Sequence, residues 1–190
     1  MENKTVSLGD RYAEITVFVI TIVALFAGWF YKSSVENRSI PFEAKGISAQ
    51  APKGWLQAKV EGDEILHTTD FSTSGFGTTY VLRSIPVAAD ASASQVASML
   101  ILEHSQNFTA FRVLEQREVK IYGRNAYEVS YVFVEADPDI AKNQLPSVVR
   151  GMDYIFINDK SSITASFWAD EKNYDLDLGR FQRFVQSIKY

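Results

Sequence analysis

A histidine and several acidic side chains occur together in residues 61–70 of the sequence. His67 lies within four residues of Asp63, Glu64 and Asp70. Imidazole and carboxylate groups are ligands that suit zinc or manganese in proteins. The spacing matches no known ligand motif, however. On a regular strand His67 is expected to face the side opposite Glu64. The segment is therefore interpreted as the solvated, acidic end of a strand, and no metal ligand is predicted.

Two other segments have the composition of an ion-binding loop without its motif. Residues 71–80 contain Gly75 and Gly77, but they lack the lysine and the following helix of a phosphate-binding loop. Glu135, Asp137 and Asp139 are spaced as calcium ligands can be, although such a run is more typical of a solvated loop. We therefore predict no bound cofactor.

Groups for catalysis are equally sparse. The sequence contains no nucleophile elbow and no cysteine, which removes thiolate nucleophiles, thiolate metal sites and disulfides. The second histidine, His104, follows Glu103 and is predicted to lie at the surface. No set of ionisable groups converges in the sequence, so no catalytic residue is assigned and a non-enzymatic protein is expected.

The charge balance excludes another class of partner. The 190 residues carry 23 acidic and 19 basic side chains, for a net charge of −4. Nucleic-acid-binding proteins use clustered positive charge to neutralise phosphates. We therefore expect no nucleic-acid partner.

The most informative stretch of the sequence is residues 15–31. It contains no charged residue and no proline. As a helix it would be about 25 Å long, and its neighbours extend it toward the ~30 Å of bilayer hydrocarbon. We predict a single transmembrane helix that anchors the chain in the lipid bilayer.

Three alternatives to a membrane span remain open at this stage. A cleaved signal peptide would have a basic leader and an exit of the A-x-A type, whereas the leader here is mixed in charge and the exit Leu25-Phe26-Ala27 has a large residue where a small one is needed. A pilin stem would place an acidic residue inside the apolar run, but Glu14 lies before it. A buried core helix would be unusually apolar.

Small residues inside the predicted span mark a candidate contact face. Ala24 and Gly28 form a small-xxx-small pair, with Ala27 beside them, and such pairs let a second helix approach closely. We therefore expect integral membrane subunits as partners. Aromatic rings favour the headgroup layer of a bilayer. Three predicted membrane-interface anchors lie at the end of the run: Trp29, Phe30 and Tyr31.

The rest of the chain is organised around this span. Residues 1–14 are predicted to form a tail, residues 32–45 a linker, and residues 46–190 one extramembrane domain. Apolar residues alternate with period two or recur with helical period in that domain. The pattern predicts strands at 46–50, 56–60, 64–69, 78–86, 112–122, 126–135, 148–158 and 162–169, and helices at 93–106 and 175–188. The expected fold is α+β, an antiparallel sheet with helices packed on it.

Three segments of this domain carry a family resemblance. They are Ala-Pro-Lys-Gly-Trp at 51–55, Gly-Arg-Asn-Ala-Tyr-Glu at 123–128, and the closing helix with Phe181, Phe184, Val185 and Ser187. With these features the domain resembles the PsbP-like family. The resemblance implies an α/β/α sandwich and no shared enzyme activity. Members of that family bind and stabilise larger assemblies, often on the extracytoplasmic or lumenal side of an energy-converting membrane.

These inferences combine into a functional hypothesis. The expected protein is a single-pass accessory subunit of a membrane complex, with a cytoplasmic N-terminus and a periplasmic or lumenal domain. The resemblance implies a photosynthetic or respiratory complex. The alternative is a membrane-tethered binding domain that holds a lipid or small apolar ligand between sheet and helix. That alternative requires a pocket of several hundred cubic ångströms.

Overall fold

The chain divides into two compact units, which are described separately. The structure, a computed structural model, describes residues 8–36, 38–72, 76–136, 146–158 and 160–190. The first unit is Met1–Ser39 and the second is Ile40–Tyr190.

The first unit contains one long helix, α1, at Leu8–Glu36. Its 29 residues correspond to about 43 Å of helix. The window Tyr12–Lys32 has a mean hydropathy of 2.1 and none of it is buried, so the helix is long and apolar enough to cross a membrane. The two threonines in the window bond back to the helix, since Thr16 Oγ1 donates to the Tyr12 carbonyl and Thr21 Oγ1 to the Val17 carbonyl. Both hydroxyls are thereby satisfied without water.

The helix is longer than the predicted span. Residues 8–14, predicted as part of a tail, and residues 32–36, predicted as part of a linker, are helical. The apolar run marks only the part of a helix that can lie in hydrocarbon. Backbone hydrogen bonds continue through polar residues until the chain is interrupted, and no proline occurs before Pro41.

The second unit is built from nine strands and two helices within the described ranges. The strands are β1 Ser39–Ala44, β2 Ile47–Pro52, β3 Leu56–Gln57, β4 Glu64–Asp70, β5 Thr78–Pro86, β6 Thr109–Ile121, β7 Arg124–Glu135, β8 Ser147–Ile157 and β9 Ser161–Asp170, and the helices are α2 Ala93–Asn107 and α3 Glu171–Ser187.

Seven of these strands form one antiparallel sheet. Its order is β3-β4-β5-β9-β8-β7-β6, and every neighbouring pair is antiparallel. Helix α2 packs on one face with Val96, Ala97 and Leu100, while α3 packs on the other with Phe181 and Val185. This arrangement confirms the predicted α+β fold with helices packed on an antiparallel sheet.

Side-chain alternation along β7 assigns residues to the two layers. Val129, Tyr131 and Phe133 all join the core beneath α2. The preceding residue, Glu128, faces away from them and pairs with Arg117 of β6, with 2.7 Å between Oε1 and Nη2. The period of two predicted for this strand is therefore confirmed.

Helix α2 begins as the sequence predicts. Ser92 Oγ accepts a hydrogen bond from the Gln95 amide, and Gln95 Oε1 accepts one from the Ser92 amide. This capping box satisfies two amides that have no partner inside the helix. Helix α3 begins earlier than predicted, at Glu171, because Asp170 Oδ1 accepts from the Lys172 amide and caps it.

The predicted linker contains an ordered strand. Ile40, Phe42 and Ala44 of β1 pack against the core beneath α3. A two-residue turn of Lys45 and Gly46, both with positive φ, connects β1 to β2. The alternation of apolar residues was hidden by Pro41 and the polar residues before it. A proline is tolerated in a two-stranded ribbon, which has only edge strands.

The tightest glycine contact in the sheet gives a test of this packing. A Cβ built on Gly151 of β8 would collide with the ring of Tyr131 on β7. We expect Gly151→Ala to lower the free energy of unfolding by about 1–3 kcal/mol, because neither the strand nor the buried ring can yield freely. Denaturant unfolding of the full chain in detergent, followed by tryptophan fluorescence, measures this change.

Gly179→Ala is the matched control. Gly179 lies inside α3, and the nearest atom to an added Cβ is Arg183 Nη1 at 3.9 Å. Alanine in a helix interior is favoured over glycine by about 0.5–1 kcal/mol, so this variant should be at least as stable as the wild type. Equal free energies of unfolding for Gly151→Ala and Gly179→Ala would contradict the packing described for β7 and β8.

Candidate functional site

One concave feature of the second unit is a groove between α2 and the sheet. We call it the α2 groove. Its volume is about 640 Å³, within the range of small-molecule sites. Strand β5 and the residues after it contribute Ile85 and Val87, β9 contributes Thr164, and α2 contributes Val96 and Met99. Apolar side chains thus form most of its walls.

One cationic residue lines this apolar groove. The Arg83 side chain is 16% exposed, and its Nη1 donates to Glu103 Oε1 at 2.7 Å. A second carboxylate, Glu64 Oε1, lies 3.7 Å from Nη2. Burial favours a lower pKa for Arg83, but the hydrogen bond to Glu103 and the two carboxylates raise its pKa above the usual value. Arg83 is therefore a permanent cation held by an acidic pair.

The guanidinium group retains unused donors. Arg83 Nε is buried and has no hydrogen-bond partner among the described residues. Within the same ranges the hydrogen bond to Glu103 is the one that Arg83 makes, since the Glu64 contact at 3.7 Å is too long for one. A guanidinium carries several N–H groups, so most of its donor capacity is unfilled.

The rim of the groove exposes two large apolar side chains of α2. Met99 is 72% exposed and Leu102 is 59% exposed, and both line the groove. Single exposed apolar residues are ordinary, but a pair that borders an apolar depression extends its apolar surface.

A second group of polar side chains lies fully inside the core beneath α2. His104 Nε2 of α2 is 3.1 Å from Asp153 Oδ2 of β8, and the Tyr131 hydroxyl donates to Asp153 Oδ1 at 3.1 Å. Trp168 Nε1 of β9 donates to the Tyr131 hydroxyl at 2.7 Å. Phe108 stacks on His104 with 4.8 Å between ring centroids. This buried polar cluster ties α2 to three strands.

The cluster is closed to substrates. His104 is 2% exposed, and Tyr131 and Asp153 are 0% exposed. Burial, followed by the nearby Asp153 carboxylate, raises the pKa of Tyr131 well above its usual value, so its hydroxyl stays protonated. A histidine beside an aspartate suits proton transfer only where a reacting group can approach. Here the geometry favours structural hydrogen bonding.

The surface position predicted for His104 is wrong. His104 follows Val96 and Leu100 at intervals of four residues, which places it on the buried stripe of α2. That spacing was available in the sequence. Its partner Asp153 is 49 residues away, so the pairing depends on tertiary structure.

The acidic segment around His67 also differs from its prediction. His67 Nδ1 lies 3.2 Å from Glu64 Oε2, although regular strand geometry would place them on opposite faces. An irregularity in the pairing between Glu64 and Leu66 shifts the register and brings them together. No group of three potential metal ligands occurs among the residues that the structure describes. Asp137, Asp139 and Gly75 lie outside those residues.

The predicted contact face lies on α1. Ala24 and Gly28 are four residues apart, which corresponds to about 40° around a helix, so they share a face. No atom lies within 4 Å of a Cβ built on Gly28. Three aromatic residues nearby are all exposed: Trp29 at 66%, Phe30 at 72% and Tyr31 at 73%. The roles assigned to these residues and to Ala27 stay predictions.

The buried polar cluster gives a test with a pH signature. We expect Tyr131→Phe to lower the free energy of unfolding at pH 7 by about 1–3 kcal/mol, because Asp153 and Trp168 each lose a partner. In the unfolded chain Tyr131 ionises near pH ~10, while the folded state keeps it protonated. The folded state then binds more protons, so wild-type stability falls above that pH.

Phenylalanine cannot ionise, so the difference in free energy of unfolding between the wild type and Tyr131→Phe should shrink as the pH rises above ~10. Denaturant unfolding at a series of pH values measures it. Tyr127→Phe on the same strand is the control, since the Tyr127 hydroxyl makes no hydrogen bond within the described part of the chain. A difference that stays constant with pH would contradict the raised pKa of Tyr131.

Neither protein-family models nor the sequences of curated proteins match this chain. Solved structures do. The chain is similar to cyanobacterial PsbP (CyanoP) from Synechocystis, with 14% identity and a TM-score of 0.59 over 80% of this chain and 92% of that one. It is similar to LpqN of Mycobacterium tuberculosis, with 10% identity and a TM-score of 0.51 over 80% and 84% of the two chains.

A third similar structure is a protein of Bacteroides thetaiotaomicron, with 10% identity and a TM-score of 0.54 over 80% of this chain and 48% of that one. At these identities the likeness concerns the fold alone. The antiparallel sheet with a helix on each face is a PsbP-like fold.

Proposed function

We propose that this protein is a membrane-anchored, non-enzymatic accessory subunit of a membrane protein complex. Helix α1 crosses the bilayer and contacts integral membrane subunits through Ala24, Ala27 and Gly28. The PsbP-like unit lies on the extracytoplasmic side, periplasmic or lumenal, and stabilises the assembly.

The exposed apolar surface of α1 carries this proposal. Every described side chain from Tyr12 to Lys32 is exposed, although the window has a mean hydropathy of 2.1. An apolar surface of that extent is unfavourable in water and favourable against lipid or other helices. A bilayer span with a small-residue face meets both requirements.

The chemistry of the second unit supports a role without catalysis. Its buried histidine and aspartate are sealed in the core, and its second histidine pairs with Glu64. Arg83, at the groove, is flanked by two carboxylates, Glu103 and Glu64. None of these groups is arranged as a nucleophile with a base and an orienting partner.

The relatives in structure support the location and the kind of role. Cyanobacterial PsbP shares the fold, and LpqN is involved in cell envelope biogenesis. The LpqN comparison favours a domain that works at the cell envelope, and the resemblance to the PsbP-like family favours an energy-converting membrane, photosynthetic or respiratory. This step is an analogy of fold.

A second candidate function is a binding domain for a lipid or small apolar ligand. The observation that favours it is the α2 groove, whose volume of about 640 Å³ is of the size that such a ligand requires. An accessory subunit can also bind a lipid, so the two functions are compatible.

Solubilisation in mild detergent tests the accessory role. We expect the wild-type chain to co-purify with integral membrane subunits. Replacing Ala24 and Gly28 with leucine should lower their recovery by roughly tenfold, because the added side chains prevent close helix approach, and about 1.4 kcal/mol of lost contact energy suffices for that factor. Quantitative mass spectrometry of the purified material measures the recovery.

Val19→Phe is the control for that experiment. Val19 lies about 140° from Ala24 and about 180° from Gly28 around the helix. The substitution therefore enlarges the side chain on the face opposite the predicted contact face. This variant should keep its partners. A wild-type chain that purifies alone at monomer size would refute the accessory role, and equal loss in both variants would refute the contact face.

The orientation can be tested with one introduced cysteine, since the chain has none of its own. Leu176 of α3 is 78% exposed, so Leu176→Cys should leave the fold intact. We expect a membrane-impermeant maleimide to label this variant in intact cells or spheroplasts. Labelling that appears only after the membrane is permeabilised would place the domain in the cytoplasm. Wild type, which has no thiol, gives the background.

A further inference from the structure

The α2 groove combines a mostly apolar surface with one positive charge, and polar side chains such as Thr164 also line it. Ile85, Val87 and Val96 contribute apolar wall, and Met99 and Leu102 extend it outward at the rim. Arg83 is the cation that lines it, and its Nε has no hydrogen-bond partner among the described residues. A ligand that fits must bury an apolar body and present a hydrogen-bond acceptor to the guanidinium group.

The charges around Arg83 determine whether the hydrogen-bond acceptor on the ligand is anionic or neutral. Glu103 and Glu64 lie 2.7 and 3.7 Å from its Nη atoms, so one positive charge faces two negative charges. A carboxylate or phosphate ligand would add a third negative charge to this site and be repelled. A neutral carbonyl oxygen accepts a hydrogen bond without that penalty.

The same carboxylates favour donors on the ligand. Glu103 is 45% exposed and lines the groove, and an ionised carboxylate is an acceptor only. A hydroxyl group near the carbonyl would donate to it. The groove therefore complements a neutral head that carries both a carbonyl and a hydroxyl group on an apolar chain.

We propose that the α2 groove binds a neutral acylglycerol, with its ester carbonyl on Arg83, its free hydroxyl on Glu103 and its acyl chain between α2 and the sheet. The inference deepens the second candidate function, and it relies on the membrane attachment proposed above for access to lipid. An apolar segment of a partner protein is the rival occupant.

The probe that tests this is a photoreactive, alkyne-tagged monoacylglycerol. The full chain is reconstituted in nanodiscs of diether phosphatidylcholine, which carries no ester carbonyl to compete. We expect irradiation to label peptides from α2 and from residues 83–88. Monoolein should compete at least fivefold better than oleate at equal concentration, because oleate is anionic. Oleate as the better competitor, or labelling confined to α1, would overturn the proposal.

Met99→Glu and Leu176→Glu form a matched pair. Both residues are exposed on helices, at 72% and 78%, but only Met99 lines the groove. The glutamate at Met99 places a charge on the apolar rim, so labelling should fall at least fivefold. Leu176→Glu should label as wild type does. Similar labelling of both variants would overturn the assignment of the groove.

Arg83→Lys tests whether the guanidinium group binds the ester carbonyl. Lysine keeps the positive charge beside Glu103 but removes the planar guanidinium donors. Wild type should prefer the monoacylglycerol probe over a photoreactive hydrocarbon of equal length, and this variant should lose most of that preference. A preference that survives the substitution would overturn the role of Arg83, provided that tryptophan fluorescence shows a folded variant.

Two results separate this inference from the accessory role. Co-purified subunits together with an unlabelled groove would overturn the acylglycerol site alone. A labelled groove in a chain that purifies without partners would support the lipid site and count against the accessory role. Cross-links from the groove to a partner peptide would assign the groove to the rival occupant.

Discussion

The constraint on which the rest of this account depends is the uncovered apolar surface of α1. From Tyr12 to Lys32 no described side chain is buried, and the only threonine hydroxyls in that window bond back to the helix. Between Glu14 and Lys32 no side chain is charged, so this surface favours hydrocarbon over water. We therefore propose lipid or neighbouring helices as its cover, and the proposed location and class of partner rest on this requirement.

In the second unit, by contrast, helices cover both faces of the sheet. Helix α2 and helix α3 each bury a separate apolar cluster, and β1 adds to the cover on the side of α3. The buried polar cluster of His104, Asp153 and Tyr131 joins α2 to the sheet within one of these layers. The α2 groove lies where that cover is incomplete, along β5 and the exposed side of α2.

The sequence predicted those features that depend on local pattern. Period-two alternation located most of the strands, and the helical period located α2, because both patterns recur within a few residues. Features that depend on distant residues were missed. Asp153 is 49 residues from His104, so the buried polar cluster does not follow from local spacing. Arg83 and Glu103, the ion pair that lines the groove, are 20 residues apart, so this pair does not follow from it either. Strand β1 was missed for another reason, since Pro41 obscured its alternation.

The central claim is that α1 is retained in the protein and holds it in the membrane. Intact-mass spectrometry of the chain recovered from carbonate-washed native membranes tests this most directly. The account predicts a membrane-bound species with α1 attached, whose mass includes the 21.4 kDa of these 190 residues. A shorter species that lacks α1, or recovery of the chain in the carbonate supernatant, would contradict it.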